Sequence, residues 1–217
     1  MVLYYLLIFR MTARIPGRAL GIHYRSTPAS SHAGCRMEVF VDFNCPFSKR
    51  LSERLMDEVK PAYGDGLELI FQPVPQTWHP SSCISHECFH SATLVNPSTE
   101  MEQAAFKIAM KHAYEKFSDE MTYDKSRRQI NEEWANLYRE GGFDKDAFLG
   151  NLALQGTGNA GTECTRLMKL YTKQHRQLAI HVTPTTRING HIVDTSSGWS
   201  LDEWKEFLDP LVTSATK

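Results

Sequence analysis

The chain has 217 residues, of which 41% are hydrophobic and 23% charged, with a formal net charge of −1. That length and balance suit one ordinary globular domain, and near-neutrality gives no electrostatic footprint for nucleic acid or an acidic membrane surface. No stretch approaches the roughly 20 consecutive apolar residues that a membrane-spanning helix needs.

Everything before Glu38 carries Arg10, Arg14, Arg18, Arg25 and Arg36 but neither acid nor lysine. An Arg-rich, acid-free, Ser-containing segment reads as an N-terminal extension over 1–36, of mitochondrial-presequence type, or as the result of a start at Met11. Within it, 21–25 reads as a first strand, and 37–217 reads as the domain proper. Cys35, Cys45, Cys83, Cys88 and Cys164 form an odd set without regular spacing. This argues against a secreted disulfide scaffold and for a reducing compartment, so the expected location is cytoplasmic, with the mitochondrion as alternative.

The first strong pattern is 37–43 (MEVFVDF), β-branched and aromatic, a buried strand that runs directly into Asn44-Cys45-Pro46. From 48 to 63, Leu51, Leu55, Met56 and Val59 recur at helical spacing, with Pro46 suited to the first turn. Residues 67–72 (LELIFQ) form a second strand ended by Pro73 and Pro75, and a polar loop follows to Ser85. Helices are then expected over 86–95, 101–117, 123–139 (closed by Gly141 and Gly142), 145–152 and 165–177. Strands at 185–188 and 191–193 are joined by Asn189-Gly190, a strong hairpin signal. Ser200 and Glu203 form a capping box for a last helix whose apolar face is Leu201, Trp204, Phe207 and Leu208. The helical block over about 85–177 is an insertion in one α/β unit.

Three segments carry a family resemblance: Asn44-Cys45-Pro46-Phe47-Ser48 at a strand-to-helix junction, Val182-Thr183-Pro184-Thr185 before a strand, and the Asn-Gly hairpin with its C-terminal helix. They resemble the α/β thioredoxin-like fold, and the inserted all-helical block resembles its DsbA-like branch. The resemblance implies that Pro184 is cis and faces the active cysteine, and that Pro46, Phe47 and the Thr183 backbone line a substrate site. It departs at the fourth position of the motif, where Ser48 stands in place of a second cysteine and cannot close an intramolecular disulfide. The motif is also similar to the kappa-class glutathione transferases and 2-hydroxychromene-2-carboxylate isomerases, with cysteine in place of their reactive serine. Both branches imply glutathione as cofactor.

Cys45 precedes a helix, where unpaired N–H groups and the positive end of the dipole favour the thiolate that does thiol chemistry. Ser48, one turn on, is expected to donate a hydrogen bond to the sulfur. Asp42 is expected to accept a proton from Cys45 or to pair with a glutathione amine, the other reading being a carboxyl bonded to backbone. His79 and His86 are expected at the mouth of the cleft. Cys83, His86 and Cys88 match no zinc knuckle, so no metal is expected. His90, His112, His175, Phe106, Tyr114, Phe117, Trp134 and Tyr138 fit packed helical faces. Cys35 is offered as a resolving thiol. The resulting expectation is a thiol-dependent, glutathione-linked oxidoreductase or transferase acting through Cys45 on a thiol or disulfide compound or an extended peptide. A non-catalytic peptide-binding module and a glutathione-dependent isomerase are the alternatives.

Overall fold

The computed structural model describes residues 19–24 and 34–214; of the N-terminal extension read over 1–36, residues 1–18 and 25–33 lie outside them. One five-stranded sheet has the order β1-β3-β2-β4-β5, built from β1 (Ile22–Tyr24), β2 (Cys35–Val41), β3 (Leu67–Pro73), β4 (Thr185–Ile188) and β5 (His191–Val193). β2 is the central strand, buried on both faces except at Arg36, in keeping with its mostly apolar sequence, and its buried Glu38 is paired with Arg36 and Arg187. It runs parallel to β3, with Met37 opposite Leu69 and Val39 opposite Phe71, and antiparallel to β4, with Val39 opposite Thr186. A parallel pair needs a crossover, and the helix opened by Pro46 supplies it.

That crossover begins as α1 (Pro46–Arg54), passes through a π turn (Leu55–Val59) and closes as α2 (Lys60–Tyr63). Within it the Lys60 N–H donates to the Leu55 carbonyl, five residues back. Pro61 has no N–H, and its ring would strike the carbonyl four residues earlier in a regular helix. The wider π turn just before it removes that clash while Leu55 and Val59 stay in the core.

The helical insertion lies between β3 and β4. Its axis is α3 (Ser82–Val95), buried at Ser82, Ser85, His86 and at every residue from Cys88 to Thr93. Around it pack α4 (Thr99–Phe117), α6 (Arg127–Glu140), α7 (Lys145–Asn151) and α8 (Thr165–Gln177); α5 (Asp119–Thr122) is a single turn. Ser98, Ser126 and Asp144 cap α4, α6 and α7 by accepting the N–H three residues on, and Gln129 completes a capping box with Ser126. Phe117, Trp134 and Tyr138 stack consecutively inside the insertion with Phe148 tilted against Tyr138, while Phe43, Phe71, Phe89 and Phe106 join it to the sheet. Asn189 and Gly190 both have positive φ, 49° and 90°, which the tight β4–β5 hairpin needs. The last helix, α9 (Leu201–Ser214), buries Trp204 and Leu208, and Ser200 and Glu203 form its capping box.

Several boundaries differ from the sequence expectation, β2 beginning at Cys35 rather than 37 among them, and four of the differences have a clear local reason. β2 ends at Val41, because Asp42 turns the chain by accepting the Cys45 N–H on its carbonyl. β3 includes Pro73, where the missing donor does no harm since the Val74 N–H bonds to the Val41 carbonyl. α3 begins at Ser82 rather than 86, its first hydroxyl donating to Asp42 across 40 residues of chain. α6 begins at Arg127 rather than 123, because the Ser126 capping box fixes its start; Tyr123 lies outside it, exposed.

Candidate functional site

Cys45 is the N-cap of α1, with extended backbone (φ −84°, ψ 120°) and Pro46 opening the helix behind it. Its N–H donates to the Asp42 carbonyl at 3.1 Å and its carbonyl accepts from Lys49 at 3.0 Å, so the backbone of the turn is fully engaged. The sulfur is directed across the fold and donates to the Thr183 carbonyl at 3.5 Å. The Thr183–Pro184 peptide bond is cis. The strand-to-helix junction and the loop before β4 thus meet at one thiol that is only 4% exposed. Phe47 and Val182, the neighbours of Pro46 and Thr183, stand out at 54% and 57% exposure and give this contact an apolar rim.

Asp42 occupies a different position from the one expected of a proton acceptor. Its carboxylate has no exposed surface and accepts from the Asn44 N–H (2.8 Å), the Gln76 N–H (2.8 Å), the Ser82 hydroxyl (2.7 Å) and His79 Nδ1 (3.0 Å). Four donors in a buried setting satisfy a charge that would otherwise be strongly disfavoured. Asp42 therefore pins together the Cys45 turn, the loop after β3 and the start of α3, and has no surface left for a ligand amine. Ser48, also fully buried, accepts the Asp42 N–H on its hydroxyl at 3.2 Å rather than reaching the sulfur.

Because a carboxylate only accepts, the Asp42 bond places a ring proton on His79 Nδ1, on a side chain 21% exposed. His86, expected at the mouth, is instead interior: it has no exposed surface and stacks on Phe43 at 4.1 Å, and burial lowers its pKa. Cys88 points the other way, toward Asn131. Among the described residues, no cluster of three or more His, Cys, Asp or Glu side chains is placed to hold a metal ion. Cys35 lies in the core on β2, where burial raises its pKa, and so it is no resolving thiol. Burial likewise pushes Cys164 up to about 12. Tyr114, expected in a packed face, is a surface residue.

Sequence reasoning missed Asn44, Gln76 and Ser82. Asn44 Nδ2 donates to the Phe117 carbonyl at 2.6 Å and ties the cysteine turn to the end of α4. Its place just before Cys45 was a local signal; the partners of Gln76 and Ser82 lie 34 and 40 residues away and leave none.

This arrangement, a cysteine at the head of the β2–β3 crossover helix facing the loop before an antiparallel strand, with helices inserted between β3 and β4, is a DsbA-like thioredoxin fold. The thioredoxin family profile matches residues 30–210, and the chain belongs to that family. No curated protein sequence matches it. Among solved structures it is similar to a candidate protein-disulfide isomerase from Pseudomonas syringae, at 24% identity and TM-score 0.66, covering 90% of this chain and 97% of that one. A thiol-disulfide exchange protein, alpha-DsbA2 of Wolbachia pipientis, aligns at 17% identity and TM-score 0.58, covering 94% and 93%. A periplasmic thioredoxin-like protein from Salmonella enterica serovar Typhimurium aligns at 15% and 0.58, covering 94% and 97%.

The cytoplasmic expectation is overturned by these neighbours, of which the Salmonella protein is periplasmic. The inference from cysteine count failed because an odd set argues only against a scaffold of disulfides. Buried thiols beside one cysteine at a helix start do not require a reducing compartment.

Proposed function

We propose that the protein performs monothiol thiol–disulfide exchange at Cys45, outside the cytoplasm. The observation that carries this reading is the placement of the Cys45 sulfur at a helix N-terminus, 3.5 Å from the Thr183 carbonyl beside a cis proline. The thiolate attacks one sulfur of a substrate disulfide, forming a mixed disulfide on Cys45 and expelling the other sulfur as a thiolate. A second, external thiolate then attacks the mixed disulfide and frees Cys45, because Ser48 cannot resolve it. Glutathione is the small thiol this reading assigns to the second step. The Thr183 backbone pairs with the substrate chain while Phe47 and Val182 cover its apolar flank.

The test is to incubate the protein with glutathione disulfide and with a disulfide-bearing peptide and to locate adducts by intact mass and peptide mapping. The expected result is a mixed disulfide on Cys45 that reduced glutathione releases and that Cys45→Ser lacks. Absence of any Cys45 adduct with both probes would sink the reading.

The low exposure of Cys45, with its sulfur bonded to Thr183, favours one second reading: a module that binds extended peptides without exchange. Peptide binding that leaves Cys45 unmodified would establish it. The cavity of about 180 Å³ lined by Gly21, Phe89, His90 and Tyr171 is separate from the residues around Cys45 and carries no argument for the isomerase alternative.

A further inference from the structure

A second cavity, of about 530 Å³, lies between α3 and α8. It falls in the usual range for ligand sites, roughly 300–1,000 Å³. Its α3 wall is Cys83 and Glu87; its α8 wall includes Met168, Lys169, Lys173 and Arg176. Lys169, Lys173 and Arg176 recur at four and three residues, so one face of α8 presents all of them, and each is exposed. None forms an ion pair among the described residues. The one carboxylate in the groove wall, Glu87, is already paired with the Arg127 guanidinium and accepts from the Thr162 hydroxyl. The groove therefore offers three uncompensated cations beside an exposed thiol.

Its position gives it a relation to the site described above. Cys83 follows Ser82, whose hydroxyl is bonded to Asp42, and α8 ends at Gln177, six residues before Thr183. The spacing of the cations also selects a ligand shape. Lys169 and Lys173 are separated by about 6 Å along the helix axis. Alternate side chains of an extended peptide repeat at about 6.6–6.8 Å.

We infer that this groove is an accessory substrate site that takes an extended acidic peptide segment, two alternate carboxylates of which are seated on Lys169 and Lys173, with Arg176 adding to the positive field. The inference rests on the exchange reading for the role of that peptide, which is the part of a substrate chain running on from the disulfide held at Cys45. Burial, then Asp42 and Glu87, raise the pKa of Cys83. Its thiol is thus a slow nucleophile at neutral pH and serves as a reporter of the groove rather than a competitor of Cys45.

The experiment uses two short synthetic peptides, each carrying a cysteine as a mixed disulfide, flanked by alternating glutamates in one and alternating lysines in the other. Occupancy is read as protection of Cys83 from iodoacetamide at mildly alkaline pH, by peptide mapping, in the Cys45→Ser variant. Exchange is read separately as adduct formation on Cys45 in the unaltered chain. The expected result is that the glutamate peptide protects Cys83 about fivefold and exchanges faster than the lysine peptide, an advantage that added salt erodes. Lys169→Glu with Lys173→Glu removes the protection; the Lys169→Gln, Lys173→Gln pair, which keeps strong helix formers at both exposed positions, removes most of it. Equal exchange of both peptides without protection would overturn the groove and leave exchange at Cys45 standing. Protection without exchange would leave the groove and sink the exchange reading. Protection that survives both pairs of substitutions would overturn the assignment to these cations.

Discussion

α1 and α3 each follow a strand through a loop and each carry a cysteine at or just inside the helix start, yet their environments are opposite. Cys45 is nearly enclosed, its sulfur directed at the Thr183 carbonyl. Cys83 is exposed, but burial of its surroundings and the carboxylates of Asp42 and Glu87 disfavour its thiolate. One side chain links the two, since Asp42 accepts from the Asn44 N–H at the head of α1 and from the Ser82 hydroxyl at the head of α3. The contrast teaches that solvent exposure is a poor guide to which thiol a fold has built a site around. What counts is the set of partners directed at the sulfur and the sign of the nearby charge.

The comparison breaks most severely at Cys45 itself. Cys45→Ser is expected to abolish mixed-disulfide formation with glutathione disulfide, whereas Cys83→Ser leaves its rate within about twofold; intact mass spectrometry checks both. Asp42→Ala is expected to destabilise the fold by about 3–5 kcal/mol, because it strands four donors in or near the interior. Urea denaturation measures this, and a loss below about 1 kcal/mol would show that the two helix starts are not held through this carboxylate.

A third effect is set by pH. His90 is buried and stacked on Tyr171, and burial lowers its pKa to about 3. The unfolded chain binds a proton at this residue below about pH 6.5 and the folded chain does not, so its contribution to stability is full above 6.5 and lost as pH falls toward 3. Between pH 6.5 and 5 the loss from His90 is about 2 kcal/mol by the same relation. Urea midpoints across that range should fall, and His90→Leu should flatten the slope.

The smallest effect sharpens the comparison at the fourth position of the motif. Ser48→Cys removes the hydroxyl that accepts the Asp42 N–H and costs about 1 kcal/mol. It also places a second thiol one helical turn from Cys45. The variant is expected to form an intramolecular disulfide that free-thiol titration detects as the loss of two thiols; unchanged titration would mean the buried position cannot meet disulfide geometry.

The residue pattern by itself determined the elements. The β-branched and aromatic segment before Cys45, the helical spacing of Leu51, Leu55 and Val59, the Asn189-Gly190 hairpin and the Ser200–Glu203 capping box are local signals, and each appears where local physics puts it. The junction at Cys45 and the loop at Thr183 were legible for the same reason, since each is a short motif at a strand end. Only the tertiary structure decided what the side chains there do. Asp42 becomes a structural acceptor and His86 goes inside against Phe43, because partners 34 to 43 residues away arrive at those points, and Ser48 turns to the Asp42 N–H of the same junction, six residues back. Periodicity encodes which face of an element is apolar. It carries no record of which distant donor meets a buried carboxylate, because that meeting is fixed by how the helical insertion closes on the sheet.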